Sequence, residues 1–572
     1  MVSAKKNNAL NATKKRDITF LVVLIGIIIL INFIGSFVFK RFDLTSEKRY
    51  TLAESTLKLL KNLEDEVYFK VYLQGNFNPS FSRLRNETKE ILDEFRANSN
   101  NQIQYEFIVP GDGLNKDEAS NIEKELYKKG LVPEEVIEKK QDKTSQTLIW
   151  PGAIVSHKGK EAVWQIFKRQ IGIAPEECIN NSVQELEYSL TNTIRKLQRD
   201  KKQEVTFIEG HSETDTLHQY DFMRSLSEYY NVNRTPINGK INALQQSDAI
   251  IISQPDSTFN DKDKFIIDQY IMRGGKVLWL IDPVNVNLDT LYMKGYSIGL
   301  NKALNIDDML FKYGVRLNSV LVQDLQCAKI PINVGFKKSA APNFQQFPWL
   351  YSPLVLPDGN HPIVKNLDLI KFDYLSTLDT VTAKGIKKTI LLHTSRYTKT
   401  QPTPARLSLG MVKYQAKESQ FTNSYQPIAC LLEGAFSSFV EYRIPVRLLN
   451  DSTFKYIDKG KPTKMIVVAD GDVARNDFNR GNGQVVELGY DKYSGQKFAN
   501  KTFLLNCVNY LLDDEGLLQL RSREVKLRLL DKKKVNLQRA KWQFINVALP
   551  LLLVIGFAYI QFYIRKRRYT KA

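Results

Sequence analysis

Histidine and cysteine are scarce in this chain, five and four residues among 572. Cys178, Cys327, Cys430 and Cys507 lie far apart, with no CxxC pair among them. That spacing excludes a disulfide framework and a Cys/His zinc site. Cys430 and Cys507 fall in apolar runs, where a free thiol behaves as a small buried hydrophobe. No two histidines stand at metal-ligand spacing, so no metal is expected. A Walker A sequence and a GxGxxG turn are also missing, which excludes ATP hydrolysis and dinucleotide binding by this chain and leaves no cofactor expected. Glycine (29) and proline (20) are too few for long disordered or fibrous stretches. At this length the folded part should comprise roughly three domains.

Charge is plentiful and of one sign, +19 in all. Nearly half of it sits at the two ends: Lys5, Lys6, Lys14, Lys15 and Arg16 near the start, and Arg565, Lys566, Arg567, Arg568 and Lys571 at the finish. The remainder is spread without a dense basic run or a nucleic-acid-binding motif, so nucleic acid is not an expected partner.

Two uncharged runs dominate the hydropathy pattern. Ile18 to Phe39 is 22 residues, about 33 Å as a helix and enough to cross a hydrocarbon core of about 30 Å. It is too long for a signal-peptide core, and Lys40-Arg41-Phe42 offers no small-residue cleavage site. Phe544 to Ile564 is the second run, flanked by Trp542 and by the basic stop sequence, and interrupted only by Pro550. Asn32 in the first run, with Asn546 and Pro550 in the second, are candidates for helix packing within a membrane. Because Lys and Arg close to a span stay cytoplasmic, both termini are expected in the cytoplasm and residues 41–541 on the far side, the periplasm of a Gram-negative cell.

Between the runs the pattern is α/β. Val67 to Leu73 reads as a strand, Leu84, Thr88, Ile91, Leu92 and Phe95 as one face of a helix, and Ile103 to Val109 as a second strand. A helix over Asp117 to Lys129 and strands over Gln146–His157 and Lys160–Phe167 complete a small, thioredoxin-like unit. A long helix over Asn181 to Gln198 leads to strands at Glu204–Ile208, Ala249–Ser253 and Lys276–Ile281, alternating with helices. Such alternation predicts a parallel, doubly wound sheet. The expected boundaries are a basic tail (1–17), a span (18–39), an N-terminal α/β subdomain (41–178), a doubly wound domain (179–320), an irregular β-rich insertion (321–464), the end of the α/β domain with a linker (465–541), a second span (544–564) and a basic tail (565–572).

Two turns attract attention. Gly210-His211-Ser212-Glu213 follows a strand, where open α/β sheets place ligands; three consecutive residues cannot aim at one another as a triad, so a ligand-contact or turn role for His211 and Glu213 is expected and a catalytic one is not. Asp470-Gly471-Asp472, with Asp477 nearby, offers carboxylates to a hard cation, but carboxylates capping backbone N–H groups in a turn are the commoner arrangement. Asp282 ends another strand. These five side chains, His211, Glu213, Asp282, Asp470 and Asp472, are the candidate ligand or partner contacts.

Several segments together resemble the auxiliary components of bacterial ABC transporters, in particular the gliding-motility members. They are Phe42 to Leu52, Glu187-Tyr188-Ser189-Leu190-Thr191-Asn192, the Gly-His-Ser-Glu turn, Asp470 to Asn476, and Leu517 to Arg523. The resemblance implies an extracytoplasmic domain related to intraflagellar-transport (GIFT) and glutamine-amidotransferase-like folds. It brings no catalytic residues. It also implies a separate ATPase subunit (GldA-like) and a separate permease subunit (GldF-like), with an unidentified extracytoplasmic ligand or protein partner. In the family the turn after the first sheet strand often has glycine where Ser212 stands. An extracytoplasmic enzyme and a pure envelope scaffold are the alternative readings.

Overall fold

The computed structural model describes residues 18–33 and 51–569, apart from 76, 141–142, 171–172, 199–201, 337–341, 415, 442–455, 480, 514–515 and 523–531. The N-terminal basic tail, residues 34–50 with the Phe42 to Tyr50 part of the family-like segment, and residues 570–572 therefore lie outside the described residues. The chain divides into two units, Met1–Arg523 and Glu524–Ala572.

In the larger unit, helix α1 covers Ile18–Phe33 and is apolar and exposed throughout. A short helix, α2 (Glu54–Lys61), leads to strand β1 (Val67–Val71). Helix α3 (Pro79–Asn98) begins where Asn78 accepts a bond from Phe81 N–H and proline takes the first turn, and it buries Phe81, Leu84, Thr88, Leu92 and Phe95 along one face. It delivers the chain to β2 (Ile103–Phe107), parallel to β1. After α4 (Lys116–Lys129) come β3 (Glu134–Lys140), β4 (Lys143–Ile149), β5 (Gly152–His157) and β6 (Lys160–Gln165). The sheet order is β2-β1-β5-β6, with β5 and β6 antiparallel.

Two expected elements are each divided. The strand expected over Gln146–His157 breaks at Trp150-Pro151: proline cannot donate to a ladder, so the part before it pairs as a β3/β4 hairpin and the part after it joins β1. The helix expected over Asn181–Gln198 is two, α5 (Pro175–Gln184) and α6 (Leu186–Gln198), meeting at Glu185.

The main sheet starts at β7 (Glu204–Glu209), followed by α7 (Thr216–Ser227), β8 (Asn231–Pro236), β9 (Ala249–Ser253), α8 (Asp261–Met272) and β10 (Lys276–Leu280). β9 is buried along its whole length. Ala249 and Ile251 enter one core layer and Ile250 and Ile252 the other, the uniform burial that a central parallel strand with two covered faces requires. Next come β11 (Val284–Asn285), α9 (Leu288–Lys294), β12 (Tyr296–Asn301) and α10 (Asp307–Tyr313).

The region beyond Leu321 is not a separate insertion. It supplies β13 (Ile386–His393), β14 (Ala405–Ser408) and β15 (Pro427–Ser437), and two of these belong to the main sheet. With β16 (Lys459–Val468), the order is β13-β15-β16-β10-β9-β7-β8. Five strands from β16 to β8 are parallel, whereas β15 and β13 run antiparallel at one edge. The sheet is therefore mixed, not wholly parallel as expected. Ile428, Leu431 and Leu432 of β15 are completely buried, at about 1.5–3 kcal/mol each, which ties this antiparallel edge into the two main core layers. β14 pairs instead with β12 in a small sheet, β11-β12-β14, over its own core of Val284, Leu291, Leu321, Trp349, Tyr351 and Leu407. α11 (Asn500–Leu511) covers the main sheet with Phe503, Leu504, Cys507, Val508 and Leu511.

The second unit contains one long helix, α12 (Lys532–Tyr569), with Pro550 inside it. Its stretch Leu537–Arg567 contains an 18-residue segment of mean hydropathy 2.1 with no buried residue and is long and apolar enough to cross a membrane. α1, as described, is shorter than that.

Candidate functional site

The order of the parallel strands makes the chain step outward from β7 to β8 and then cross back to β9. The carboxyl ends of β7 and β9 are thus the point where the winding reverses, where open α/β sheets form a ligand crevice. Here two side-chain clusters fill that edge.

The first is built on the turn after β7. His211 is 2% exposed and stacks on Phe259, ring centroids 3.7 Å apart and planes 12° from parallel. Its Nδ1 lies 3.2 Å from Glu213 Oε1 and its Nε2 3.1 Å from Asp263 Oδ2. A proton on either ring nitrogen therefore has a carboxylate acceptor. Both acids are further committed: Glu213 Oε2 accepts from His211 N–H at 2.7 Å, and Asp263 accepts from Gly239 N–H at 2.7 Å and from the Asn260 amide at 2.8 Å. Ser212 between them has φ 55°, and its hydroxyl lies 2.6 Å from that of Ser257. This left-handed backbone explains why glycine is at home at the position. Asp263 was not among the expected residues, yet Asn260-Asp261-Lys262-Asp263 carries the spacing of a reciprocal helix cap, with Asn260 Oδ1 accepting from Asp263 N–H.

The second cluster joins the ends of β9, β10 and β16. Asp282 lies two residues past β10, Asp470 two past β16, and Gln254 directly after β9. Gln254 Nε2 donates to Asp282 Oδ2 at 2.9 Å and to Asp472 Oδ1 at 2.8 Å. Asp282 Oδ1 accepts from Gly471 N–H. Asp470 accepts from Val473 N–H at 2.7 Å and from Asp373 N–H at 3.2 Å. A Cβ on Gly471 would lie 2.7 Å from Gln254 Cβ and 2.9 Å from Asp282 Oδ2, so only glycine lets the turn approach this closely. Asp477 stands apart, paired with Lys492 at the surface.

Electrostatically this cluster is crowded. Burial, then the neighbouring carboxylates, push Asp470 well above the ordinary carboxylate range, and the same causes in the same order raise Asp472 to about 7. Burial also raises Asp282, against the pull of Lys302 and of its hydrogen bonds. Arg475 is 3.9 Å from Asp472 and partly exposed. Among the described residues no group of three or more His, Cys, Asp or Glu side chains has a geometry able to hold a metal ion.

The structure thus brings His211 and Glu213 together, and brings Asp282, Asp470 and Asp472 together. Gln254, missed by the sequence reading, links the two sets: its Oε1 accepts from the Thr214 hydroxyl at 2.7 Å, and its backbone is left-handed at φ 52°. Nothing local in the sequence marks it, because its role depends on strand ends brought together by the sheet. The sequence also contains the letters GxSxG at Gly295 to Gly299. Ser297 there is 2% exposed as the second residue of β12, not on the strand-to-helix turn that a nucleophile of this kind needs. Asn32 donates to Ile28 O of its own helix at 3.1 Å; Asn546 and Pro550 are exposed on α12.

Residues 202–507 match the family described as ABC-type uncharacterized transport system, and residues 46–156 match a domain of unknown function (DUF7088). No curated protein matches. Among solved structures, the mmIFT52 N-terminal domain is 14% identical, with a TM-score of 0.31, covering 54% of this chain and 96% of that one.

Proposed function

We propose, from the premise that this chain belongs to the auxiliary family of ABC-type transport systems, that it is a noncatalytic subunit of a bacterial transporter of the gliding-motility, GldG-like type. It works beside a separate ATPase (GldA-like) and a separate permease (GldF-like), with α12 and the apolar run from Ile18 as two membrane spans, both termini cytoplasmic and the α/β unit outside. The observation that supports a noncatalytic role is the closure of the switch-point crevice by the protein's own bonds. His211 is clasped by two carboxylates, and Thr214 and Gln254 tie the loops across the reversal. Arg234 reinforces the tie by donating to Thr214 O at 2.8 Å.

Affinity purification from native membranes tests this reading. The ATPase and permease should co-purify, and replacing either span by an unrelated apolar helix of equal length should abolish that while membrane localisation persists. Recovery of the chain without either subunit would overturn it. A cytoplasm-only reporter fused after Ala572 should be active, and the same reporter inserted in the 380s silent.

One observation favours an enzyme instead. The Asp472 carboxyl, pushed up to about 7 by burial and then by the neighbouring carboxylates, keeps 19% of its side chain exposed, as a general acid or base would need. Loss of cellular function by orders of magnitude in Asp472→Asn, with the transporter still assembled, would establish that reading.

A further inference from the structure

The outward face of β12 reverses the usual rule for a half-buried strand. Ser297 and Gly299 point inward, whereas Tyr296, Ile298 and Leu300 are 42%, 51% and 53% exposed. The register cannot slip to hide them. An added Cβ at Gly299 would lie 3.0 Å from Leu321 Cδ1 and 3.1 Å from Val284 Cγ1, so a one-residue shift would press an aliphatic side chain against neighbours that must give way even to a methyl group. Three apolar side chains about 7 Å apart are therefore held facing water in one row.

The surroundings of the row have a distinct chemistry. Gly295, just before β12, accepts bonds from Leu409 N–H at 2.9 Å and from the Ser408 hydroxyl, which brings the 409–414 turn beside the end of α9. Met293 is 85% exposed on one of these segments and Tyr414 81% on the other. The cations Lys294, Arg406 and Lys413 are interleaved with them and exposed, and none has an ion-pair partner among the described residues. Arg406, opposite Ile298 across the ladder, lies over the Tyr296 ring at 5.4 Å. Over Val284–Lys302 and Ala405–Lys413 the only acid is Asp289.

Exposed tyrosine and aliphatic side chains among unpaired Lys and Arg are the composition that sits at a bilayer headgroup region, with aromatic rings at the interface and cations on anionic lipid. The chain also carries, in α12, a helix able to cross a membrane, so the larger unit would stay tethered near a bilayer at high effective concentration. We propose that the β12 face, with Tyr296, Ile298, Leu300 and Arg406 at its centre, docks on an anionic lipid surface. This rests on reading α12 as a membrane anchor. An exposed apolar row rimmed by unpaired cations favours anionic lipid over a folded protein partner.

The test uses the full chain reconstituted into liposomes, with an environment-sensitive fluorophore on Ile298→Cys and, as control, on Tyr127→Cys, exposed on α4. Flotation with the liposomes checks anchoring separately. With phosphatidylglycerol at 30% in phosphatidylcholine, the label at 298 should shift to the blue and be quenched several-fold more by headgroup-region spin-labelled lipid than the label at 127. Lys294→Glu with Arg406→Glu, both at exposed positions, should remove most of that difference while flotation is unchanged. A floating protein with equal quenching at both positions overturns the proposal. So does a blue shift that follows protein density and not anionic lipid, which would mark self-association, or one that appears only when other subunits are added.

Discussion

The two clusters on the carboxyl edge share a sheet and a linking glutamine but are built on opposite electrostatic principles. Around His211, an imidazole ring has a carboxylate at each nitrogen, and all but a few per cent of each side chain is buried. Around Asp470, three carboxylates converge on Gln254 and backbone N–H groups, with Arg475 no nearer than 3.9 Å to Asp472. A buried charge is tolerated when paired, and a buried group of like charges instead takes up protons. The first cluster should behave as a rivet, indifferent to moderate changes near it but costly to remove. The second should respond to pH.

Removing the rivet should have the largest effect. His211→Ala strips a buried ring from Phe259 and removes the side chain that pairs Glu213 with Asp263, leaving them only their backbone and Asn260 bonds, and breaking a buried pair of this kind costs about 3–5 kcal/mol. Denaturant unfolding of the purified full chain should show that loss, and a loss below about 1 kcal/mol would mean that the two carboxylates are compensated by something else. Variant protein that does fold should still assemble with its transporter.

Gly471→Ala comes next. The new methyl group must displace Gln254 or Asp282, and overpacking of this sort costs about 1–3 kcal/mol. Because Gln254 links the clusters, the amide of Thr214 should lose hydrogen-exchange protection together with that of Val473. Loss confined to Val473 would show that the clusters are uncoupled.

A third effect depends on pH. A carboxyl whose folded pKa is raised binds its proton more tightly folded than unfolded, so it favours the fold at low pH and that contribution is lost as pH rises. For Asp472, raised to about 7, the loss spans pH 4 to 7. Stability measured at pH 5 and at pH 8 should therefore fall in the native chain, and Asp472→Asn should flatten the fall by about 1–2 kcal/mol. An unchanged slope would place Asp472 outside the crowded group.

The smallest effect belongs to the first cluster. Ser212 already occupies the left-handed region, so Ser212→Gly relieves backbone strain while losing the contact with Ser257. The two should nearly cancel, within about 0.5 kcal/mol in the denaturant midpoint. A loss above about 1 kcal/mol would make the hydroxyl part of the rivet.

What could be read in advance divides along the same line. The helix face of Leu84, Thr88, Leu92 and Phe95 and the buried strand Ala249–Ser253 announce themselves through local periodicity, and the structure places them as that pattern predicts. His211, Glu213, Asp282, Asp470 and Asp472 were visible as polar residues at strand ends. Their grouping was not, since it depends on which strands lie side by side. β15 looks like one more apolar run in a Pro-rich and Ser-rich stretch, and no local signal says that it pairs with β16 or in which direction. Asp263 was legible as a helix cap and Gln254 was not legible at all. The outward row on β12 was also missed, because alternation reveals two faces but not which of them is covered.

The position of β16 has a consequence for the order in which the protein assembles. It lies between β10 and β15, although everything from β11 to β15 is made before it. Until residues 459–468 are available, β10 presents an open apolar edge and the β13/β15 pair has no sheet to join. Pairing across such long sequence separations is slow, so a chain made from its N-terminus closes its sheet late.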